Sequence, residues 1–432
     1  MSLRCCSSLA LVLSLLVVVS PAATLAAYCR PRPPSKPVLA RLNKDPSTSL
    51  YTISLKGGGA PLVVDLAGPL VWSTCGPGHR TIPCASSACK VANRNRPAGC
   101  ASQGGGAGKP GCAENRCSAY PYNPVTGECG RADVTAVPLA ANATDGKNPL
   151  SPASFSVLGS CAPDGLLASL PSGAAGVAGL SRLPLSLPSQ VASALNVARE
   201  FALCIPSGGE TGAAIFGGGA FQLLAAPPVE VADGLRKAPV PFLKNRRNGA
   251  YYFKVTGINV NNVRVPVPAG AFDLRPRSGR GGVVLSTVTP CTTLRSDIYR
   301  PLLRAFDAAT SGIPRAAPVR PFELCYEASA LGSSRLGFAV ANIDLLLDGG
   351  RSWLLAGGSS LVQVNDHTVC FAFLEMAPAT AASGSPAAIF GGFQLEDHLL
   401  LVDLQKETFA LSGPLIGIRT NCGNFNFTIG SS

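Results

Sequence analysis

The sequence has few histidines and few charged side chains. Three histidines occur in 432 residues, and charged residues make up 14% of the chain. His79, His367 and His398 stand in no recognisable nucleophile or base motif, which disfavours a hydrolase that depends on histidine. His79 is also the only histidine near the densest group of cysteines, so a structural zinc site would lack its usual ligands. We therefore expect neither a metal nor a cofactor.

Beyond the N-terminus the sequence has no long apolar run. The apolar residues 9–19 follow Arg4 and precede small residues through Ala27, which is the order of a secretory signal peptide. A membrane span needs about 18 apolar residues or more, and no later stretch meets that requirement. We expect residues 1–27 to be a signal peptide and the mature chain to be secreted and soluble, with no membrane partner.

The two basic clusters of the chain lack interleaved aromatic residues. They are KNRR at residues 244–247 and RPRSGR at 275–280, in a chain whose formal net charge is +12. Without aromatic side chains among the cations, nucleic-acid binding is disfavoured. The excess of positive charge instead favours contact with acidic polysaccharide or with acidic proteins.

Glycine, proline and apolar residues are abundant. The chain has 47 Gly, 37 Pro and 47% hydrophobic residues, a composition typical of a β-rich globular protein with many turns. Its 432 residues exceed the size at which one core keeps growing, so we expect two domains. Helical spacing is confined to residues 187–201 and 295–309. The predicted fold class is all-β, mainly strands with a few short helices.

Cysteines are numerous and unevenly placed. The chain has 16, of which Cys5 and Cys6 lie in the expected signal peptide. The remaining even number, in an exported protein, indicates disulfides. Seven of them fall between residues 75 and 129, around the segment GGGAGKPG. We expect a stapled, loop-rich insertion there, although the sequence alone does not determine the pairing.

Two distant segments share one strand-and-turn pattern. They are LVVDLAGPLVWSTC at residues 62–75 and GGVVLSTVTPCTTLRSDIYRPL at 281–302. In a two-lobed aspartic protease such a pattern presents one catalytic aspartate in each lobe. Only the first segment has one, Asp65, whereas the second has Ser286. Peptide hydrolysis by this chemistry needs two carboxylates that share a proton, so we expect an inactive scaffold that is used for binding.

A second repeat favours internal duplication. AAIFGGG at residues 213–219 recurs as AAIFGGF at 387–393. A proline-rich stretch at residues 226–242 lies between the halves and is interpreted as a linker. We place the N-terminal lobe, with its cysteine-rich insertion, at residues 28–225 and the C-terminal lobe at 226–432.

Longer segments carry a resemblance to a known family. They include CSAYPYNPVTGECG, LSTVTPCTTLRSDIYRPL, FELCYEASALG, LLLDGG, CFAFLEM and AIFGGFQLED. In these segments the chain resembles the plant xylanase inhibitors of the pepsin-like aspartic protease family, which are related to basic seed globulins and extracellular dermal glycoprotein. The resemblance implies a bilobal pepsin-like fold, a monomer, and a role in plant defence in the apoplast or cell wall.

The resemblance also identifies the remnant of the catalytic site. Active members have Asp, then Thr or Ser, then Gly in the first turn, whereas here Leu66 and Ala67 follow the aspartate. Leu66 cannot donate the hydrogen bond that links the two turns, and Ala67 adds bulk. Tyr122 corresponds to the flap tyrosine, and Asn123 and Pro124 replace the glycines that make an active flap flexible.

The expected partner is a secreted microbial glycoside hydrolase, in particular an endo-xylanase. In inhibitory members a histidine shortly before the last cysteine meets the two carboxylates of the enzyme; here Ile418 or Arg419 stands at that place. Arg419 either supplies a cation through charge-assisted hydrogen bonds or is a solvated surface residue. The loop with Thr292, Thr293 and Leu294 is the second expected contact, unless it only caps the helix that follows.

The resemblance implies twelve paired cysteines, and two further cysteines are additional. Cys29 and Cys291 either bond to each other or remain free. The twelve are Cys75, Cys84, Cys89, Cys100, Cys112, Cys117, Cys129, Cys161, Cys204, Cys325, Cys370 and Cys422.

Two alternatives stay open. One is a different extracellular binding protein of the seed-globulin type, which engages another hydrolase, a peptide or a receptor. The other is an active aspartic endopeptidase, in which another acid such as Asp273 or Asp297 replaces the missing carboxylate. Sequons at Asn142 and Asn426 are expected glycosylation sites.

Overall fold

The computed structural model describes residues 35–55, 59–76, 78–92, 100, 112–113, 115–377 and 385–430, with the backbone alone at 112–113. The expected signal peptide at residues 1–27, Cys29 and the side chain of Cys112 lie outside the described residues.

Strands dominate the described chain. The first twelve are β1 (Val38–Lys44), β2 (Tyr51–Ser54), β3 (Leu62–Asp65), β4 (Val71–Ser73), β5 (Cys112–Ala113), β6 (Arg116–Ala119), β7 (Ala132–Thr144), β8 (Pro149–Cys161), β9 (Gly176–Gly179), β10 (Glu200–Cys204), β11 (Thr211–Phe216) and β12 (Gln222–Leu223). The next are β13 (Val229–Glu230), β14 (Val240–Leu243), β15 (Tyr252–Phe253), β16 (Val255–Val260), β17 (Val263–Arg264), β18 (Leu274–Arg275), β19 (Arg280–Gly281), β20 (Val283–Leu285), β21 (Thr292–Leu294), β22 (Arg315–Ala316), β23 (Cys325–Glu327), β24 (Ser333–Ser334) and β25 (Gly337–Phe338). The last are β26 (Ile343–Leu347), β27 (Ser352–Leu355), β28 (Leu361–Asn365), β29 (Thr368–Phe371), β30 (Phe373–Glu375), β31 (Ala388–Phe390), β32 (Leu399–Asp403) and β33 (Thr408–Leu411).

Helices in the described residues are short. The α-helices are α1 (Ser87–Ala92), α2 (Leu187–Leu195), α3 (Ala232–Arg236), α4 (Ser296–Ala309), α5 (Gly357–Ser360) and α6 (Gly392–Leu395). The 3₁₀ helices are Asp164–Leu167, Ala328–Ala330, Asp348–Gly350, Leu415–Ile418 and Cys422–Asn424. This content confirms the predicted class, mainly β with a few short helices.

One strand arrangement occurs twice. In the first half β3 runs parallel to β9, and β4 pairs antiparallel with β9 and parallel with β8. In the second half β20 runs parallel to β31, and β21 pairs antiparallel with β31 and parallel with β30. The relation inferred between residues 62–75 and 281–302 therefore holds in three dimensions, because each segment supplies the first two strands of the same motif.

The AAIFGG repeat is not part of that duplication, and our interpretation of it was wrong. Residues 213–216 lie in β11, which pairs with β1 and β10, whereas β31 pairs with β20 and β21. The counterpart of β31 is β9. Both copies are buried strands that end where a side chain would not fit: Gly217 has φ +113°, and a Cβ on Gly391 would lie 2.6 Å from backbone atoms. The two sequences are similar because each must form a buried strand that ends at a glycine.

A central antiparallel sheet joins the two halves. Its order is β1, β11, β10, β32, β33 and β14, and the halves meet where β10 pairs with β32. The hydrophobic core is continuous across this sheet, since Phe201 of β10 packs against Tyr251 with ring centroids 6.2 Å apart. Neither half completes its sheet without the other.

Three local expectations need correction. The helix expected at residues 187–201 ends at Leu195, because Asn196 takes a left-handed conformation with φ 51° and β10 begins at Glu200. The helix expected at 295–309 begins one residue later, as α4. The stretch 226–242 is not an unstructured linker, since it contains β13, α3 and the start of β14. The lobe boundary itself stays a prediction.

Disulfides link distant parts of the fold. Cys204 and Cys422 join β10 to the C-terminal segment, 218 residues apart in sequence. The other described pairs are Cys75–Cys161, Cys89–Cys117, Cys100–Cys129 and Cys325–Cys370, and Cys84 is disulfide-bonded as well.

Candidate functional site

The turns that follow β3 and β20 face each other. Thr287, in the second turn, donates its hydroxyl to the carbonyl oxygen of Val64 at 2.6 Å and accepts the amide hydrogen of Leu66 at 3.2 Å. Asp65 ends β3 and Ser286 directly follows β20. The first turn offers no matching hydroxyl, because its corresponding residue is Leu66. The apolar side chain of Leu66 is fully buried in the core. The hydrogen bonding between the turns is therefore one-sided, as the sequence predicted for Leu66.

Asp65 is a buried carboxylate, only 4% exposed. Its Oδ1 accepts the amide hydrogen of Ala67 at 2.8 Å. Burial raises the pKa of Asp65 to about 6, and the backbone N–H groups of Ala67 and Gly68 oppose that rise. Gly68 permits this close approach, because a Cβ there would lie 2.6 Å from Gly179 Cα and 3.1 Å from Asp65 Oδ2. No charged side chain of the described residues contributes to this pKa.

Ser286 follows β20 in the second motif, much as Asp65 ends β3 in the first. Its Oγ donates to Thr289 Oγ1 at 3.0 Å and accepts the amide hydrogens of Val288 and Thr289 at 3.3 and 3.2 Å. The serine is 8% exposed and is satisfied by its own turn. It stabilises the local backbone in the way that serine does in many turns.

The two acids considered as replacements are engaged elsewhere or exposed. Asp297 pairs with Arg295 at 2.6 Å at the start of α4, and Asp273 is exposed. Neither contributes to the pKa of Asp65. A carboxylate dyad through either residue therefore has no support in the geometry.

The structure brings Tyr122 close to Asp65. Tyr122 forms a bridge to Cys129 across its hairpin, and Trp72 donates its indole N–H to the Tyr122 carbonyl at 3.0 Å. Burial, and secondarily the negative charge of Asp65, raise the pKa of Tyr122. The phenol therefore lies within electrostatic range of the carboxylate.

Asn123 anchors this hairpin, a role that the sequence analysis missed. Its side chain is fully buried, and its Nδ2 donates to the carbonyl oxygens of Leu166 and Ala168, each at 2.8 Å. Its Oδ1 accepts the amide hydrogens of Val125 and Thr126 at 2.8 and 3.1 Å. The order Asn-Pro-x-Thr-Gly was a turn signal, but the contact with the distant 3₁₀ helix left no trace in the sequence.

Exposed apolar side chains gather near the C-terminus. Leu224, Ile416 and Ile418 are 50%, 43% and 49% exposed. Arg419 is exposed, has a left-handed backbone with φ 61°, and forms no ion pair with any described residue. We call these four residues the C-terminal surface. It contains both Ile418 and Arg419, the positions expected from the sequence.

The C-terminal surface stands on a firmly held segment. Thr420 donates its hydroxyl to the Leu224 carbonyl at 2.7 Å. Cys422 donates its amide hydrogen to Asp397 Oδ1 at 3.0 Å and is bonded to Cys204. The surface is therefore presented by a rigid turn.

The second expected contact loop needs correction. Thr292 and Leu294 are fully buried, and Thr292 is bonded through both its N–H and its hydroxyl to Gln394 Oε1 at 2.9 and 2.7 Å. The segment forms β21, so it neither caps α4 nor offers these two side chains to a partner. Thr293 is partly exposed and donates to the Cys291 carbonyl at 3.2 Å.

Cys291 is a free thiol among the described residues. It is half-buried beside a cavity of about 410 Å³ that Tyr51, Phe322 and Glu396 also line. Burial, with the charge of Glu396, raises the pKa of Cys291 to about 11. The thiol is therefore protonated at neutral pH and weakly nucleophilic.

The two sequons lie in different settings. Asn142 is in β7, opposite Leu39 and Pro152. Asn426 accepts the amide hydrogen of Thr428 at 3.0 Å. Both are half-buried, and their glycosylation stays a prediction.

The described residues contain neither a metal-binding cluster nor a membrane-spanning helix. No group of three or more His, Cys, Asp or Glu side chains there is arranged to hold a metal ion. None of the helices there has the length and hydropathy of a membrane span.

Comparisons with known proteins identify the family. Residues 51–218 match the family described as "Xylanase inhibitor N-terminal" and residues 250–412 match "Xylanase inhibitor C-terminal". The chain is 45% identical to "Chitinase CLP" of Oryza sativa subsp. japonica over 91% of this chain and 92% of the relative. It is 32% identical to "Gamma conglutin 1" of Prunus dulcis over 96% and 95%.

A solved structure agrees with the sequence relatives. The crystal structure of edgp is similar with a TM-score of 0.80 at 31% identity, covering 92% of this chain and 100% of that one. The chain therefore belongs to the xylanase inhibitor family and has its bilobal pepsin-like fold.

Proposed function

We propose that the protein is a secreted inhibitor of a microbial glycoside hydrolase, with endo-xylanase as the first target to test. Membership of the xylanase inhibitor family supports this class of partner. The observation that carries the proposal is the C-terminal surface, where Ile418 is 49% exposed and the cation of Arg419 is unpaired among the described residues. We propose that this surface enters the cleft of the enzyme.

The chemistry of the two surfaces is complementary. A glycoside hydrolase carries a pair of carboxylates across its cleft, and a guanidinium can bond a carboxylate through two parallel N–H groups. Ile416 and Ile418 add apolar area beside that cation. Because the disulfide Cys204–Cys422 holds the turn, little ordering entropy is lost when it binds.

We further propose that the protein has no aspartic peptidase activity. Asp65 is buried with a pKa of about 6 and no second carboxylate contributes to that value. One carboxylate cannot activate water and donate to the substrate carbonyl in the same step. The scaffold then serves binding only.

The test is a titration of a panel of microbial endo-xylanases with the purified protein, measuring residual xylan hydrolysis. We expect inhibition, and we expect Arg419→Asn to weaken it by about 2 kcal/mol, or roughly thirtyfold. Asparagine tolerates the left-handed backbone of Arg419, so the variant removes the cation and leaves the turn. Arg320→Asn, at another exposed arginine, is the control and should inhibit normally. Equal inhibition by both variants would remove Arg419 from the contact, and no inhibition across the panel would reject xylanase as the target.

A second candidate function is hydrolysis of chitin, favoured by the 45% identity to a relative named as a chitinase. A raised pKa suits the general acid of a glycosidase, and the pKa of Asp65 is about 6. The two candidate functions are distinguished by incubating chitin oligosaccharides with the wild type and with Asp65→Asn and measuring the release of shorter sugars. Release of shorter sugars by the wild type alone would favour the enzyme, whereas no release leaves inhibition as the better account.

We propose export to the extracellular space, in the apoplast or cell wall. The expected signal peptide and the disulfides support this location. Glycosylation at Asn142 and Asn426 belongs to the same proposal. A mass measurement of the secreted protein before and after glycosidase treatment tests both.

A further inference from the structure

The two basic clusters of the sequence lie against each other. Asn245 donates its side-chain N–H to the carbonyl oxygen of Gly279 at 3.4 Å, and Arg246 donates its amide hydrogen to the carbonyl oxygen of Pro276 at 3.4 Å. Two segments that are separate in sequence therefore form one patch. We call it the basic surface; it consists of Lys244, Arg246, Arg247, Arg275, Arg277 and Arg280, all of them exposed.

Most of this charge has no counter-charge. Lys244 pairs with Glu407 at 2.6 Å, but the five arginines form no ion pair with any residue that the structure describes. Arg275 and Arg280 stand directly opposite each other in the pairing of β18 with β19. Like charges in that position destabilise a strand pair. The arrangement therefore costs folding free energy, which an anionic partner would offset.

Local packing holds the stem of Arg247 in place. Gly279 has φ +73°, and a Cβ there would lie 2.8 Å from Cγ of Arg247. The aliphatic part of Arg247 therefore packs directly on the turn. Asn245 is buried, 5% exposed, and its Oδ1 accepts the amide hydrogen of Arg247 at 2.8 Å. Arg247 of the first cluster is therefore held against the turn of the second cluster.

We propose that the basic surface binds an acidic polysaccharide of the polyuronide type, a chain of sugars that each carry a carboxylate. Guanidinium groups bond carboxylates through two N–H groups and are more weakly hydrated than ammonium groups. Several of them in one patch match a polymer with a regularly repeated negative charge. No aromatic residue occurs in either segment, so stacking on bases, on which single-stranded nucleic acid binding relies, is absent.

This surface is separate from the C-terminal surface in composition. It shares no residue with Leu224, Ile416, Ile418 or Arg419. Polysaccharide binding therefore does not depend on the proposed inhibition of an enzyme. It would retain the protein on an acidic wall matrix while the C-terminal surface stays available.

The experiment measures binding of the purified full chain to polygalacturonate, with fully methyl-esterified polygalacturonate of the same length as the uncharged partner. We expect binding to the acid form, little binding to the ester, and a steep loss as salt rises. The triple variant Arg247→Gln, Arg275→Gln, Arg280→Gln should lose affinity by roughly tenfold or more at low salt, because an electrostatic contact is lost with each cation. Its matched control is Arg199→Gln, Arg304→Gln, Arg320→Gln, which removes the same charge from other exposed positions and should bind almost as the wild type does.

Three results would overturn the proposal. Equal losses in the two triple variants would mean that net charge, and not this surface, is responsible. Equal binding to the ester would exclude carboxylate recognition. Polyadenylate competing as well as polygalacturonate, charge for charge, would mark a general polyanion site. If the first triple variant does not fold, the loop variant Arg246→Gln, Arg277→Gln replaces it, with the same expected direction and the same consequence if affinity is unchanged.

Discussion

Asp65 is a buried carboxylate, and no second carboxylate of the described residues contributes to its pKa. Its pKa is raised to about 6 from 3.8, because burial disfavours the charged form more than the N–H groups of Ala67 and Gly68 favour it. Below about pH 3 the folded and unfolded states both hold the proton. As pH rises toward 6 the unfolded chain releases its proton first, so the folded state binds more protons and stability falls. Above about pH 7, where both states are ionised, the penalty is complete, at about 3 kcal/mol.

We therefore predict that Asp65→Asn stabilises the protein at neutral pH. The gain in the free energy of unfolding should reach up to about 3 kcal/mol near neutrality and vanish near pH 3, where no penalty exists to remove. Urea unfolding at a series of pH values measures it. Asp164→Asn, at an exposed aspartate, should change stability by at most about 0.5 kcal/mol. A constant gain at all pH values would show that the carboxylate is not the cause.

The sequence predicted which residues form the remnant site, but it did not predict the hydrogen bonds that they make. Asp65, Ser286 and Leu66 were recognisable because the turn pattern fixes what each position does. The two hydrogen bonds of Thr287 are made with Val64 and Leu66 in the facing turn. Because that turn is far away in sequence, no local pattern predicts these bonds. Thr292 was expected to contact a partner because it is polar. Its hydroxyl instead donates to the buried Gln394, a partner that the sequence does not reveal.

The hairpin that carries Tyr122 differs from a mobile flap in its attachments. Asn123 bonds it to Leu166 and Ala168, and the bridge Cys100–Cys129 crosslinks it. A flap that closes over substrate must open and close, and a hairpin held in this way has little freedom to do so.

We predict that Asn123→Ala loosens this hairpin. Four hydrogen bonds of a fully buried amide are lost, which should cost about 2–4 kcal/mol locally. Hydrogen exchange of residues 121–130 should accelerate, with the amides of Val125 and Thr126 affected most. Val125→Ala, at a 42% exposed position of the same hairpin whose side chain forms no hydrogen bond, should leave exchange nearly unchanged. Unaltered exchange in Asn123→Ala would contradict the anchoring role.

Element type was predictable where the pattern was local. The strands around Asp65 and Ser286 and the start of α2 followed from apolar runs and proline. The end of α2 did not, since its periodic apolar spacing continues through Phe201, which belongs to β10 and faces Tyr251. The inference of duplication from the AAIFGG repeat failed for a related reason. A buried strand followed by a glycine turn occurs at two places in the fold that are not equivalent, β11 and β31.

In the described chain the two halves are joined by several contacts, among them the pairing of β10 with β32 and the long-range disulfide Cys204–Cys422. The chain-entropy account makes a disulfide more stabilising when it closes a longer loop. Cys204–Cys422 spans 218 residues, whereas Cys89–Cys117 spans 28. All four cysteines are buried to a similar degree, so the two bridges form a matched pair.

We predict that replacing Cys204 and Cys422 by alanine costs more than replacing Cys89 and Cys117. The expected losses in the free energy of unfolding are about 5 and about 3.5 kcal/mol. Urea unfolding of the two double variants under oxidising conditions measures the difference. A larger loss for Cys89 and Cys117 would mean that local packing, and not loop closure, governs the effect.

The meeting of β10 with β32 also sets an order of events during synthesis. When Glu200–Cys204 leaves the ribosome, the strand that it needs, Leu399–Asp403, has not yet been translated. Cys204 has the same delay, because its partner Cys422 lies 218 residues later in the chain. The first half therefore emerges with an open sheet edge at β10 and with Cys204 unpaired until the second half has been made.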